Sequence, residues 1–400
     1  MSALHTLAML FLCLFVMVIP VDGLVSPGGI PLLKLSGLLS FAATLLLLIN
    51  GMSLRGDGGF IFITLLFICW VIFSFLWTTM PVDYQHAQAI NSQQSLKANL
   101  YLLGVVLMMF QLVRSERDLL AVFTAYLLGC GWLIVIFLDG YEPGVTTVRY
   151  GLEGLDANEM TIILSIAIPL AVYLTLWGRF VVLRLVGLLY LPVAMLAILA
   201  TGSRTGVIVM LVAALSLLPL LLKAHPVVRL LSLVVVSVAL VWVLSIIPDK
   251  TVERLLSTGS ELSSGTLSER SITWEKAWLE FQQQPLFGQG LGSFRQLMNK
   301  HHVEYTAHNS YVSIAVEQGI VGLLLYLAII LSVFWQCLTN CDDRRWLLSP
   351  LLMIVVLGQM TLTLHEAMYV WLVYVLIMLA VLLRVERRYV YSRQFHAGQN

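Results

Sequence analysis

Long apolar runs, separated by short polar turns, dominate the chain. A helix that spans a bilayer needs about 20 mostly apolar residues. The runs that approach this length are 6–21, 33–50, 60–77, 96–113, 119–138, 160–177, 181–200, 206–222, 228–247, 310–334, 347–364 and 369–383. They predict an all-α polytopic membrane protein with about twelve transmembrane helices. The stretch 248–309 breaks the pattern, with Lys250, Glu253, Arg254, Glu261, Glu269, Arg270, Glu275 and Lys276 among many Ser, Gln and Gly. It reads as one large extramembrane loop. Within it Trp274, Ala277, Trp278 and Phe281 recur at helical spacing, the mark of an amphipathic helix lying on a membrane surface. The organisation is therefore nine helices over 1–247, the loop over 248–309, and three helices with a basic tail over 310–400.

Composition agrees. Of 400 residues, 59% are hydrophobic and 11% charged, against about 25% charged in a soluble domain. That excludes a water-soluble enzyme, a disordered chain and a disulfide scaffold. The runs are too long for an outer-membrane barrel, whose segments alternate over about 10 residues. The net charge of +1 and the lack of a basic stripe give no sign of nucleic-acid binding. The first run has no basic leader and no small-residue cleavage site, so it reads as a spanning helix rather than a signal peptide. Cys13, Cys69 and Cys130 sit in apolar runs as small hydrophobes, and Cys337 with Cys341 makes a poor metal site.

Charge orients the set. With both termini in the cytoplasm, thirteen of the 23 Lys and Arg fall in cytoplasmic segments, four in short outer turns and six in the long loop. Cytoplasmic turns are enriched in cations, so the long loop is expected on the outer side.

The candidate chemistry collects on that side. Thr201-Gly202-Ser203-Arg204-Thr205-Gly206 joins two apolar runs with almost no loop. Its arginine is either a snorkelling anchor or a functional cation beside a wet cavity. Arg149 and the Gly-rich turn up to Asp156-Ala157-Asn158-Glu159 lie outside too, and Asp156 or Asn158 suits a helix cap. Pro285-Leu286-Phe287-Gly288-Gln289-Gly290-Leu291-Gly292 fails the dinucleotide pattern and follows no strand. His308 stands at the mouth of a span. Glu317 lies within that span, as a functional carboxylate or a structural one, protonated or paired with arginine. His365 and Glu366 complete the outer set without a clear role.

These motifs together resemble the O-antigen ligase superfamily, which holds lipopolysaccharide O-antigen ligases (WaaL-type) and related Wzy-type polysaccharide polymerases. The resemblance rests on Gly202–Gly206, on Arg270 with Trp274, on the Pro285–Gly290 run, and most on His308-Asn309 with Glu317-Gln318-Gly319 and Gly322. Asp156–Glu159, followed by Pro169, looks like the family's upstream element. The match runs from about residue 149 to 330. It implies a GT-C-like membrane glycosyltransferase in the bacterial inner membrane, its active site facing the periplasm. The implied donor is a glycan on undecaprenyl diphosphate, the acceptor a lipid A–core hydroxyl.

The residue types suit that reaction. Guanidinium groups grip phosphate oxygens bidentately, so Arg204, Arg270 and Arg149 are expected to hold the diphosphate. A histidine, with an ordinary pKa of about 6.5, suits proton abstraction near neutral pH, which makes His308 the expected base. Asn309, Glu317, Ser203 and Trp274 are supporting candidates. The outer side carries no Asp-x-Asp, so no metal and no cofactor are expected, and attack opposite the leaving group would invert the anomeric centre. A ligase is the first reading, on the compact chain and single late loop, and a polymerase the second. A transporter is third: internal repeats are absent, and the polar residues gather at one interface rather than at the midplane.

Overall fold

A backbone that meets hydrocarbon instead of water has to satisfy its own N–H and C=O groups, and the helix does so within one segment. In the computed structural model the described residues are 3–25, 31–78, 85–140, 150–218, 270–303, 306–340 and 345–397, with four isolated positions between 222 and 237. Among them the fold is helical, apart from one isolated bridge between Leu152 and Leu155. The α-helices are α1 (Ala3–Val18), α2 (Leu32–Ile49), α3 (Gly58–Ser74), α4 (Gln85–Leu112), α5 (Glu116–Asp139), α6 (Ala157–Trp177), α7 (Val181–Ala200), α8 (Arg204–Ala214), α9 (Arg270–Gln283), α10 (Phe294–Lys300), α11 (Ser310–Asn340), α12 (Arg345–Thr361) and α13 (Met368–Ala397).

Nine described helices are long and apolar enough to cross a membrane, and Arg204–Leu217 and Trp346–Thr361 are shorter apolar helices. Each falls on an expected run. The expected run 228–247 and the first part of the loop, 248–269, lie outside the described residues apart from isolated positions, and so does Arg149.

Helix starts follow the local chemistry. Asp57, Ser115, Asp156 and Ser203 each cap a helix by accepting a hydrogen bond from a first-turn amide, which satisfies one of the donors a helix leaves orphaned. Packing then ranks the helices. α6 is the hub, against α5, α7, α8 and α12. The Tyr126 and Tyr190 hydroxyls reach its Ile163 and Leu164 carbonyls at 3.2 and 3.1 Å. α2 and α7 are peripheral and turn Leu38, Leu45, Leu185 and Leu189 outward. A buried polar trio joins α11, α12 and α13: Tyr326 donates to Gln359 Oε1, and Gln359 Nε2 donates to the Tyr374 hydroxyl at 2.8 Å.

The two ends of the bundle differ. At one, Arg55 pairs with Glu386 and donates to Val113 O at 2.8 Å, while Gln111 closes on its backbone. At the other, the start of α6 meets the starts of α8 and α13, and the start of α11 meets the turn before α13. The charge pattern groups Arg55 with Arg114, and the two are neighbours around Ser53 and Gln111.

Candidate functional site

α11 is broken at Gly319, where the backbone has φ 65 and ψ −170, a geometry open to glycine. Such a break strands carbonyls before it and amides after it, and in hydrocarbon each orphan costs several kcal/mol. The loop after α9 supplies the partners. Gln289 and Gly290 N–H donate to Val316 and Glu317 O at 2.8 and 2.9 Å, and Ile320 N–H donates to Pro285 O at 2.8 Å. Trp70 Nε1 donates to Gln318 O at 3.0 Å, and Trp77 Nε1 to Gly288 O at 3.2 Å. Two motifs that look separate in the sequence, 285–290 and 317–319, are thus one unit. Gly288, at φ 72, is the contact point: a Cβ there would fall closer than 3.0 Å to the backbone of Glu317 and Gly319. Gly290 and Gly292, also at positive φ, pack instead against Thr78 and against the backbone of Asn91 and Ser92. Glu317 is buried, and its carboxylate accepts from Phe294 N–H at 3.0 Å. Its partner among the described residues is backbone rather than arginine.

His308 sits where this unit meets α9. Trp274 Nε1 donates to Ala307 O at 2.7 Å and so ties the turn before α11 to the helix that starts at Arg270. Asn309 caps α11, its Oδ1 accepting from Tyr311 and Val312 N–H at 2.9 and 3.2 Å. Ser310 Oγ donates to Leu362 O at 3.1 Å and accepts from Leu364 N–H at 2.7 Å. Between these anchors His308 takes φ 44, a left-handed conformation that costs an L-residue about 1–2 kcal/mol. Such a conformation persists only where its surroundings enforce it, and it gathers at functional sites. The ring is half-buried, with Nε2 3.0 Å from Thr306 Oγ1.

An apolar groove of about 790 Å³ starts at Asn309, the residue after His308, and runs between α9, α11 and α12. Trp274 and Asn309 stand at its head, and Val312, Ile320, Leu327 and Ile330 line its length. Its lining runs from Tyr311 to Ile330, on both sides of the break at Gly319. The expected Trp274, Ala277, Trp278 and Phe281 face is real, and all four residues line this groove.

The second cluster is built on α6 and α8. Ser203 caps α8 by accepting from Gly206 N–H at 2.9 Å and donates to Asn158 Oδ1 at 2.6 Å. Asp156 caps α6 through Asn158 N–H at 2.7 Å. Arg204 is therefore the first residue of α8, half-buried, at the positive end of the helix dipole. A cation placed there makes the turn attractive to an anion twice over. The clusters are linked by α12, which packs against both α8 and α11.

Beside the second cluster lies a cavity of about 790 Å³, mostly apolar, into which Asp22, Lys34, Lys97, Tyr101, Glu159 and Glu366 bring polar groups. Tyr369 donates to Glu159 at 3.2 Å, and Asn99 and Ser95 donate to Glu366 at 2.9 and 3.2 Å. Desolvation holds the His365 imidazole below its ordinary value, with Glu366 opposing. Sequence reading missed Glu280, a buried carboxylate held by His301 Nε2 at 2.6 Å and Lys300 Nζ at 3.1 Å. It also missed Ser310, Trp70 and Trp77. No spacing rule flags these residues, because each acts through a partner far away in the chain. Among the described residues no three His, Cys, Asp or Glu side chains are grouped as for a metal.

Residues 188–327 match the family model described as O-antigen ligase. The matched segment runs from α7 into α11 and contains Ser203, Arg204, Arg270, Trp274, His308, Asn309 and Glu317, every candidate residue but Arg149. No curated protein matches the chain. Over this segment the chain is similar to the O-antigen ligase family.

Proposed function

We propose that the protein is an O-antigen ligase of the bacterial inner membrane. It takes a glycan from undecaprenyl diphosphate and transfers it to a hydroxyl of lipid A–core on the periplasmic face. The observation that supports this best is the placing of His308, in its enforced conformation, next to Asn309 at the head of an apolar groove between α9, α11 and α12. A polyprenyl tail needs such a groove, and the sugar–diphosphate bond at its head then lies beside the imidazole.

The acceptor hydroxyl oxygen attacks the anomeric carbon while His308 takes its proton. The bond from that carbon to the phosphate oxygen breaks, and the diphosphate leaves with the electron pair. Attack from the opposite face inverts the centre. Arg204 at the α8 N-terminus and Arg270, with Arg149, neutralise the charge growing on the leaving group. Asn309, Trp274 and Glu317 position the base and the loop around it, and Ser203 positions Arg204.

The test is reconstitution. The purified chain receives an undecaprenyl-diphosphate glycan and either lipid A–core or only further donor. Glycan on the core lipid, with the anomeric configuration inverted, is the expected product. Longer chains on the carrier alone would make the protein a polymerase of the same superfamily, and no product with either acceptor would end both readings.

A further inference from the structure

The end of the bundle away from His308 has an apolar groove of its own, about 640 Å³, between α1, α5 and the turn joining α6 to α7. Leu14, Met17, Leu120, Thr124, Leu128 and Leu183 line it, with Arg117 and Arg179 at its rim. Both arginines are exposed. Arg179 lies 5.7 Å from the Phe180 ring centroid, and neither arginine has an ion pair or hydrogen bond among the described residues. The neighbouring charges are engaged elsewhere. Asp118 is buried and accepts from Arg114 N–H and Ser115 Oγ at 3.1 and 2.8 Å, Glu116 has a partner of its own, and Arg184 Nε donates to Gly178 O at 2.8 Å.

Depth and charge decide the occupant. From Arg117 to Leu128 the helical rise is about 16 Å, one leaflet of a hydrocarbon core of about 30 Å. The groove is therefore as deep as one acyl chain is long, and two unneutralised guanidiniums stand at headgroup level. Basic pockets between spanning helices suit anionic headgroups, and a guanidinium matches a phosphate oxygen pair. We propose that this groove binds one anionic glycerophospholipid of the adjacent leaflet. One acyl chain lies along α1 and α5, and Arg117 and Arg179 hold the phosphodiester. The proposal is independent of which glycan the enzyme transfers and of which acceptor it uses.

Native mass spectrometry of the purified full chain, delipidated and then titrated with phosphatidylglycerol or phosphatidylcholine, tests it. One phosphatidylglycerol should be retained per chain, at least about tenfold more tightly than phosphatidylcholine. R117Q/R179Q should lose that preference, and A121W, which fills the groove, should lose the bound lipid itself. The single variants R117Q and R179Q, at exposed positions, keep the test open if the double variant aggregates. Equal retention of both lipids by the parent, or undiminished phosphatidylglycerol in folded R117Q/R179Q, would overturn the proposal. So would a dimer that A121W dissociates, since a second copy would then be covering the groove.

Discussion

At position 308 an imidazole, a left-handed backbone and a capped helix start coincide, and each constrains what substitution should do. If His308 abstracts the proton, His308→Ala should cut turnover by about 10²–10⁴-fold while lipid-diphosphate binding persists. Near-parent turnover in a well-folded variant would remove the histidine from the mechanism. Arg204 calls for a subtler change, because charge alone is not its proposed role. Arg204→Lys keeps the cation but loses the planar two-point grip. It should cost about 2–4 kcal/mol in the transition state, read as kcat/KM at unchanged membrane abundance. The proposed division of labour also assigns no task to a divalent ion, so transfer should survive EDTA. Activity lost in chelator and restored by Mg²⁺ or Mn²⁺ would contradict the arginine account.

The break in α11 makes its prediction at the scale of the element. Gly288 and Gly319 both have positive φ, and a Cβ on either would press on the other's backbone strand at less than 3.0 Å. Gly288→Ala or Gly319→Ala should destabilise by roughly 2–5 kcal/mol, adding overlap to the left-handed cost. Gly51, also at positive φ but with nothing within 4 Å, should lose only about 1–2 kcal/mol on change to Ala. Thermal unfolding in one detergent ranks the three, and equal losses would mean that the loop–helix unit is not tightly packed. The turn before α13 should respond to pH. The neutral form of His365 is favoured in the folded protein, so folding loses stability as pH falls below the ordinary value of 6.5 and is indifferent above it. Unfolding temperature should drop between pH 7.5 and 5.5 in the parent, and less in His365→Gln.

For the whole molecule the prediction is sidedness. Arg55, Arg114, Arg117 and Arg179 gather at one end, while His308, Arg204 and the loop after α9 gather at the other. By the preference of cations for the cytoplasm, the His308 end is expected to face the periplasm. Single cysteines at Gln282 on α9 and Thr339 near the far end of α11, with the five native cysteines replaced, should differ in intact spheroplasts. An impermeant maleimide should label the first and spare the second, and the reverse pattern would invert the topology.

The chain's apolar runs determined by themselves that it is a helical membrane protein, where most of its helices lie, and which end collects the unusual charges. Such properties depend on local composition: a long apolar run in hydrocarbon has few ways other than a helix to satisfy its backbone. The motifs also gave the resemblance that the family model matches over 188–327, since their order along the chain is a one-dimensional signal. What they could not express is pairing at a distance. That 285–290 completes the helix broken at 319, that Trp274 holds the turn at His308, and that Glu280 is a buried anchor all depend on contacts between segments. So do the two cavities and the apolar groove beside His308. These are volumes between helices, and a volume is set by which faces meet, which only tertiary packing decides.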